Sequence, residues 1–209
     1  MEDVLDLYEE EPDPERPRVC FDEQPYQMLG EVREPLPPKP GQPARHDYEY
    51  ERGGSCNIFI FFCPERCWRE VKVTAQRTAV DFAYRMRDLV DVHFPEAEVV
   101  RVVMDNLNTH TPGSLYKVFA PEEARRILRK LEFHFTPKHG SWLNMAEIEL
   151  SVLTGQCLDR RLPDMESVGR ETGAWVKERN ESGATVTWRF TSASARKKLQ
   201  RLYPSPSAR

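Results

Sequence analysis

Three carboxylates stand out because each lies beside apolar sequence that a protein core would bury. Asp22 follows the apolar residues 19–21, and Asp105 follows the strand-like run "VVRVVM". Glu147 lies within the apolar segment "GSWLNMAEIELSVLTGQCL". Three carboxylates with little soft ligation suit hard divalent ions such as Mg²⁺ or Mn²⁺. Two such ions about 4 Å apart can activate a nucleophile and stabilise a leaving oxygen in phosphoryl transfer.

Helix geometry favours Glu147 over its neighbour Glu149 as the functional carboxylate. The apolar stripe of the predicted helix contains Leu143, Ala146, Leu150 and Leu153. Glu147 lies at the edge of that stripe, and Glu149 lies about 200° around the helix axis from Glu147. A carboxylate held against an apolar face is costly unless it is paired or bound to a metal. We therefore expect Glu147 to be the residue with a function.

Each of these residues also has a purely structural interpretation. Asp22 could start a turn, Asp105 could cap the following segment, and Glu147 could be a half-exposed surface residue. Asn106 and His110 could be ordinary turn residues. Spacing alone leaves these alternatives open.

The strands and helices predicted around these residues indicate one mixed α/β domain. Residues 1–16 are acidic and predicted to be extended, and the proline-rich residues 34–47 are predicted to be a loop. Strands are predicted at residues 17–23 (ending at Asp22), 48–63, 67–73, 99–104, 131–135 and 184–190. Helices are predicted at residues 77–94, 121–131, 140–158 (with Ser141 as a possible cap), 164–181 and 191–203. The first three strands should be antiparallel, and those at 99–104 and 131–135, which follow helical crossovers, should be parallel additions.

Composition indicates a soluble, cytoplasmic protein. No stretch approaches the roughly 18 apolar residues of a membrane span, and the acidic N-terminus lacks a signal-type apolar region. Residues 1–50 contain five basic and 14 acidic residues, whereas residues 120–209 contain 16 basic and 11 acidic ones. The basic C-terminal half is compatible with a nucleic-acid partner, and equally with a solvated surface of mixed sign.

The five cysteines favour reduced thiols. Cys56, Cys63 and Cys67 lie close together in sequence, but their neighbours are strand-like and no histidine falls at ligand spacing. Partly buried, reduced thiols are therefore favoured over a zinc site.

Three motifs taken together resemble a known family. "CFDEQ", "VVMDNLNTH" and "HFTPKHGSWLNMAEIEL" are similar to the three catalytic signatures of DDE transposases of the mariner-like superfamily, with the bacterial insertion-sequence-630 family as the most similar branch. "RGGSCNIFIFF" resembles the second strand of that family. The resemblance runs from about residue 10 to residue 160. The matching positions are Asp22, Asp105, Asn106, His110, Pro137, Leu143, Asn144 and Glu147.

The resemblance implies an RNase H-like mixed sheet flanked by helices, and two-metal cleavage of DNA at transposon ends followed by strand transfer. Asp22, Asp105 and Glu147 would be the catalytic residues and would bind two Mg²⁺ or Mn²⁺ ions. Asn106, His110 and Asn144 would act as positioning residues.

Further residues are expected to contact DNA. Lys138 and His139 precede the Glu147 helix and would touch the backbone. Trp142 could stack on a flipped base, although a core position is favoured. Arg196, Lys197, Lys198 and Arg201 form a basic helical face that suits phosphates or, equally, a solvated surface.

The expected organisation is an acidic extension at residues 1–16, an RNase H-like catalytic domain at 17–160 and a basic helical extension at 161–209. The stretch between Asp105 and Glu147 is longer than is usual in the family. Relatives carry N-terminal helix-turn-helix domains, whereas this chain starts almost at the catalytic strand, so a truncated or frameshifted gene product is expected. Its partners would be double-stranded DNA and either a second copy or an upstream helix-turn-helix polypeptide, in a bacterial cytoplasm at the nucleoid. The alternatives are a catalytically idle remnant that binds DNA or an intact transposase, and a structure-specific nuclease.

Overall fold

A five-stranded mixed sheet forms the centre of the protein, whose computed structural model describes residues 1–33, 39–42 and 48–203. The strands are β1 (Arg18–Glu31), β2 (Tyr50–Cys63), β3 (Trp68–Thr74), β4 (Val100–Met104) and β5 (Leu131–Phe135). Their order across the sheet is β3-β2-β1-β4-β5. β1, β2 and β3 are antiparallel, and β4 and β5 extend the sheet in parallel from β1. The predicted antiparallel and parallel halves are confirmed.

Helices cover both faces of the sheet. They are α1 (Glu2–Glu9), α2 (Ala79–Asp88), α3 (Pro112–Tyr116), α4 (Pro121–Arg129), α5 (Met145–Leu153), α6 (Met165–Glu181) and α7 (Ser192–Lys198). Residues of α1, α5, α6 and α7 belong to one hydrophobic core, and residues of α2, α3 and α4 belong to the other. Because strand side chains alternate, Cys20 of β1 lies in the first core and Phe21 lies in the second.

The N-terminal segment differs from the extended form expected for residues 1–16. Residues 2–9 form α1, in which Val4, Leu5 and Leu7 are buried in the first core. The Tyr8 hydroxyl donates a hydrogen bond to the Leu143 carbonyl at 2.9 Å. The prediction was wrong because it relied on the acidic residues of this segment. Its three apolar residues form one face of a helix, which is stabilised by packing against elements distant in sequence.

Three local predictions are also wrong. β1 does not end at Asp22 but continues to Glu31, because it pairs with the long strand β2. Ser141 does not cap the next helix: residues 141–143 form a 3₁₀ turn, and Asn144 caps α5 by accepting a hydrogen bond from the Ala146 N–H. Residues 184–190 form no strand. Their alternating apolar side chains pack on the first core, where Trp188 donates to the Phe190 carbonyl.

The remaining predictions concern the loop at residues 34–47, the cysteines and possible membrane-spanning helices. The predicted loop at 34–47 lies outside the described residues except for residues 39–42, where Lys39 and Gln42 form an isolated bridge. Cys20, Cys56, Cys63 and Cys157 are buried free thiols, and Cys67 is partly buried. Across the described parts of the chain, every helix is too short or too polar to cross a membrane.

Candidate active site

Asp22 lies on β1 just beyond the last residue of that strand that pairs with β4. Pairing between β1 and β4 ends at Cys20 and Val103, and the same parallel register continued by two residues brings Asp105 opposite Asp22. The Asp22 side chain shares the face of the first core, since it pairs with Ile60 of β2. One strand end therefore brings together two carboxylates that are far apart in sequence.

Burial raises the pKa of Asp22 from 3.8 to about 7. The negative charges of Glu147, Glu23 and Asp105 act in the same direction, while a hydrogen bond from the Glu23 N–H at 2.8 Å opposes them. Glu147 and Asp105 therefore act on Asp22 as neighbouring negative charges. The site is thus a concentration of negative charge beside a buried carboxyl group.

Asp105 directly follows β4 and is held by His110. Its Oδ1 lies 2.6 Å from His110 Nδ1 and accepts a hydrogen bond from the Leu107 N–H at 3.3 Å. The hydrogen bond with His110 lowers the pKa of Asp105. Burial by itself would lower the pKa of His110, but its hydrogen bond with Asp105 and its ion-pair contact with Glu23 outweigh burial and raise that pKa to about 9. His110 is therefore a buried cation next to the site, not an ordinary turn residue.

Asn144 connects the helix that carries Glu147 to the strand that carries Asp22. Its Nδ2 donates to the Phe21 carbonyl at 2.8 Å and to Asp22 Oδ2 at 3.3 Å. Its Oδ1 caps α5, so one buried side chain fixes the start of the helix beside the strand. Glu147 follows in the first turn of α5.

Glu147 is exposed, and Glu149 is the buried glutamate of α5. This reverses the expectation from the helical wheel that Glu147 lies against the core. Glu149 is paired with Arg69 at 2.9 Å and with Arg179 at 3.0 Å, and both the Arg69 and the Glu149 side chains are 0% exposed. The helical-wheel prediction was wrong because β3 and α6 cover the side of α5 that carries Glu149, which local sequence predicts to be exposed to solvent.

Two surface hollows adjoin the carboxylates. A hollow of about 500 Å³ is lined by Asp105, Asn106, Leu107, Thr136, Pro137, Lys138, His139 and Ser141. A second, of about 450 Å³, is lined by Ser141, Trp142, Glu147, Ile148, Ser151 and Val152. Ser141 borders both hollows, so the exposed Lys138 and His139 lie on the same surface as Glu147.

Trp142 is 45% exposed, so the favoured core position is wrong. It projects from the 3₁₀ turn that α1 supports through Tyr8, and its ring makes an edge contact with Phe190 at 5.7 Å. Its exposed face borders the hollow that contains Glu147.

The basic residues of α7 are exposed but only partly available. Arg196 forms a bidentate ion pair with Glu2, with both bonds at 2.7 Å. Lys198 lies over the Phe190 ring at 5.9 Å, and Lys197 is exposed. The acidic N-terminus thus neutralises part of the predicted basic face.

The described residues contain no preformed cluster of three His, Cys, Asp or Glu side chains around a single metal position. The charges of Glu147 and Asp105 both act on Asp22. Both side chains are free of the core, since Glu147 is exposed and the Asp105 side chain is 41% exposed.

Two nearby residues were missed in the sequence. The Glu23 side chain is 4% exposed and lies 3.1 Å from His110 Nε2, although it stands beside Asp22 in the motif "CFDEQ". Arg77 lies 3.8 Å from Glu23, is half exposed and helps to lower the pKa of Asp105. The adjacent acid was a visible signal for Glu23, whereas no motif pointed to Arg77.

Solved structures share this architecture. The Mos1 strand transfer complex matches with a TM-score of 0.58 and 17% identity, over 86% of this chain and 54% of the Mos1 chain. The Mos1 mariner paired end complex with Mn matches with a TM-score of 0.57, 18% identity and the same coverage. A pre-cleavage Mos1 transpososome matches with a TM-score of 0.55 and 17% identity, over 86% of this chain and 58% of the other. This chain therefore spans little more than half the length of the Mos1 chains.

These likenesses define the fold as RNase H-like, which confirms the predicted mixed sheet flanked by helices. The sequence profile of the DDE superfamily endonucleases matches residues 17–168, and the chain belongs to that family. No curated protein sequence matches it.

Proposed function

We propose that this chain is the catalytic domain of a DNA transposase that cleaves phosphodiester bonds at insertion-sequence ends and joins the freed ends to target DNA. Membership of an endonuclease family supports the cleavage chemistry. The observation that carries the proposal is geometric: the register of β1 and β4 brings Asp22 and Asp105 to one strand end, and Asn144 fixes the start of the helix that carries Glu147 beside Asp22. The motif "DNLNTH" favours the insertion-sequence-630 branch.

Asp22, Asp105 and Glu147 fit a site for two Mg²⁺ or Mn²⁺ ions. All three offer hard oxygen ligands, and a cation would favour the ionised form of Asp22, whose pKa is raised first by burial and then by the neighbouring negative charges. When bound, a pair of divalent ions lowers the pKa of an attacking water and stabilises the departing 3′-oxygen.

The residues around the carboxylates have distinct tasks. His110 fixes the Asp105 carboxylate through its 2.6 Å contact, and Asn144 holds Asp22 and the start of α5 together. Asn106 is exposed in the hollow beside Asp105 and can donate to a DNA phosphate. Arg77 can offset phosphate charge at the edge of the site.

The proposed path of DNA follows the two hollows. Lys138 and His139 would contact the backbone, and Trp142 would stack on an unpaired base because its ring is exposed beside Glu147. Lys197 and Lys198 of α7 would add phosphate contacts, with Arg196 contributing only if Glu2 releases it. We also propose self-association or an upstream helix-turn-helix polypeptide as the partner that recognises terminal repeats, and a bacterial, nucleoid-associated location.

A nicking assay tests the cleavage chemistry. The purified chain is incubated with Mg²⁺ or Mn²⁺ and an oligonucleotide that carries a terminal inverted repeat, with any partner reading frame supplied. Asp105→Ala and Glu147→Gln should abolish nicking while circular dichroism and Tm stay near those of the wild type. Glu166→Gln is the matched control, because Glu166 is likewise an exposed glutamate in the first turn of a helix.

Three outcomes separate the possible activities. Cleavage that prefers the terminal repeat supports a transposase, and cleavage without this preference supports a structure-specific nuclease. Nicking that survives in both carboxylate variants would refute the assignment.

A second candidate is a catalytically idle domain that binds DNA or an intact transposase. It is favoured by the absence, among the described residues, of three side chains already gathered around a metal position. Calorimetry with Mn²⁺ discriminates, since an idle domain should release no binding heat whereas a competent site should.

A further inference from the structure

Glu23 belongs to a chain of three side chains that runs from the protein interior to the partly exposed Asp105. Its carboxylate lies 3.1 Å from His110 Nε2, and the other ring nitrogen, Nδ1, lies 2.6 Å from Asp105 Oδ1. A single imidazole thus bridges β1 and the end of β4. Neither nitrogen is left to solvent, since the His110 side chain is 1% exposed.

Aromatic packing holds the imidazole in one plane. Phe82 of α2 stacks on the His110 ring at 5.0 Å with an interplanar angle of 29°, and Phe21 of β1 meets it edge-on at 5.3 Å. Packing fixes the plane of the ring, and only the polar contacts at its two nitrogens fix its rotation within that plane. Asp105 contacts Nδ1 and Glu23 contacts Nε2, so Glu23 supplies the second of these two polar contacts.

Glu23 is poorly placed to bind an ion shared with Asp22. Adjacent strand residues point to opposite faces of a sheet. Asp22 pairs with Ile60 of the first core, whereas Glu23 pairs with Phe59 of the second. Any effect of Glu23 on the site must therefore pass through His110 or through charge alone.

We propose that Glu23 is a positioning residue, which orients His110 so that the imidazole holds Asp105 in the direction needed to bind a divalent cation. This inference rests on the proposed function. Partners of metal-binding groups act in this way in many sites, and their loss typically weakens metal affinity about 10–100-fold.

A double-mutant cycle on Mn²⁺ affinity tests the route. Free Mn²⁺ is measured by electron paramagnetic resonance for the wild type, Glu23→Ala, His110→Ala and the double variant. Glu23→Ala should weaken Mn²⁺ binding roughly 10–100-fold. The double variant should bind no more weakly than His110→Ala, because Glu23 has no route to Asp105 once the imidazole is gone.

Two further variants separate positioning from charge and from stability. Glu23→Gln removes the charge but keeps a side-chain amide oxygen that can accept a hydrogen bond from the charged imidazole, so it should restore most of the affinity. Glu65→Ala breaks the ion pair with Arg18, which lies four residues before Asp22 on β1, and should change Mn²⁺ affinity by less than about twofold. If Glu23→Ala does not fold, Glu23→Leu fills the same buried space and serves in the same cycle.

The outcomes distinguish this inference from the proposed function. A wild-type chain that binds no Mn²⁺ overturns both. Binding that depends on Asp105 but not on Glu23 overturns the inference alone. Additive losses in the double variant also overturn it, since Glu23 would then act through its charge, as would a Glu23→Gln variant as weak as Glu23→Ala.

Discussion

Replacing Glu149 with alanine should destabilise the fold, although the neighbouring Glu147 can be replaced without such a loss. Glu149→Ala removes the buried carboxylate that pairs with Arg69, whose side chain is 0% exposed, and with Arg179. Breaking a buried pair by removing one partner costs about 3–5 kcal/mol. Arg69 keeps a hydrogen bond to Asn180 Oδ1 at 3.0 Å and another to the Ala184 carbonyl, so we expect the lower end.

The assay is urea unfolding followed by tryptophan fluorescence and circular dichroism. A loss of about 3 kcal/mol in the free energy of unfolding corresponds to a fall in Tm of roughly 6–12 °C for a chain of this size. Glu181→Ala is the control: it removes a helical ion pair with Lys177 at 3.9 Å whose side chains are 76% and 67% exposed, and should leave stability unchanged. A Glu149→Ala protein as stable as this control would refute the argument that Glu149 holds α5 against β3 and α6.

Two other perturbations test the site and its surroundings. Burial raises the pKa of Asp22 from 3.8 to about 7, so the folded protein in EDTA holds this proton more tightly than the unfolded chain does. The free energy of unfolding should therefore fall as the pH rises from 3.8 through 7. Asp22→Asn should therefore have a higher Tm than the wild type at pH 8 and an equal one below pH 3.8, and a Tm difference that does not vary with pH would contradict this cause. A Cβ at Gly53 would lie 2.1 Å from the Pro163 carbonyl oxygen, so Gly53→Ala should lower the free energy of unfolding by about 1–3 kcal/mol. Gly155→Ala, where a Cβ meets nothing within 4 Å, should not do so, and equal effects of the two changes would argue against a close approach at Gly53.

The sequence was sufficient to predict the five strands of the sheet and their relative directions, and its motifs pointed to Asp22, Asp105 and Glu147 as candidate site residues. The apolar runs before Asp22 and Asp105 predict strands, and the change to helical spacing between them predicts the crossover that makes β1 and β4 parallel. These signals are local, because periodicity and connection length depend on consecutive residues. The helix that carries Glu147 was predicted as well, but its start was placed at residue 140 and not at Asn144.

Tertiary structure alone decided which charged groups are buried and what they contact. A helical wheel gives the direction of Glu149 but not the presence of Arg69 from β3 and Arg179 from α6 on that side. In the same way, the letters of "CFDEQ" do not reveal that Glu23 faces His110, because that contact depends on how β1 packs beside the loop after β4. The energy of a buried charge depends on partners that come from distant parts of the chain, so it cannot be derived from local sequence.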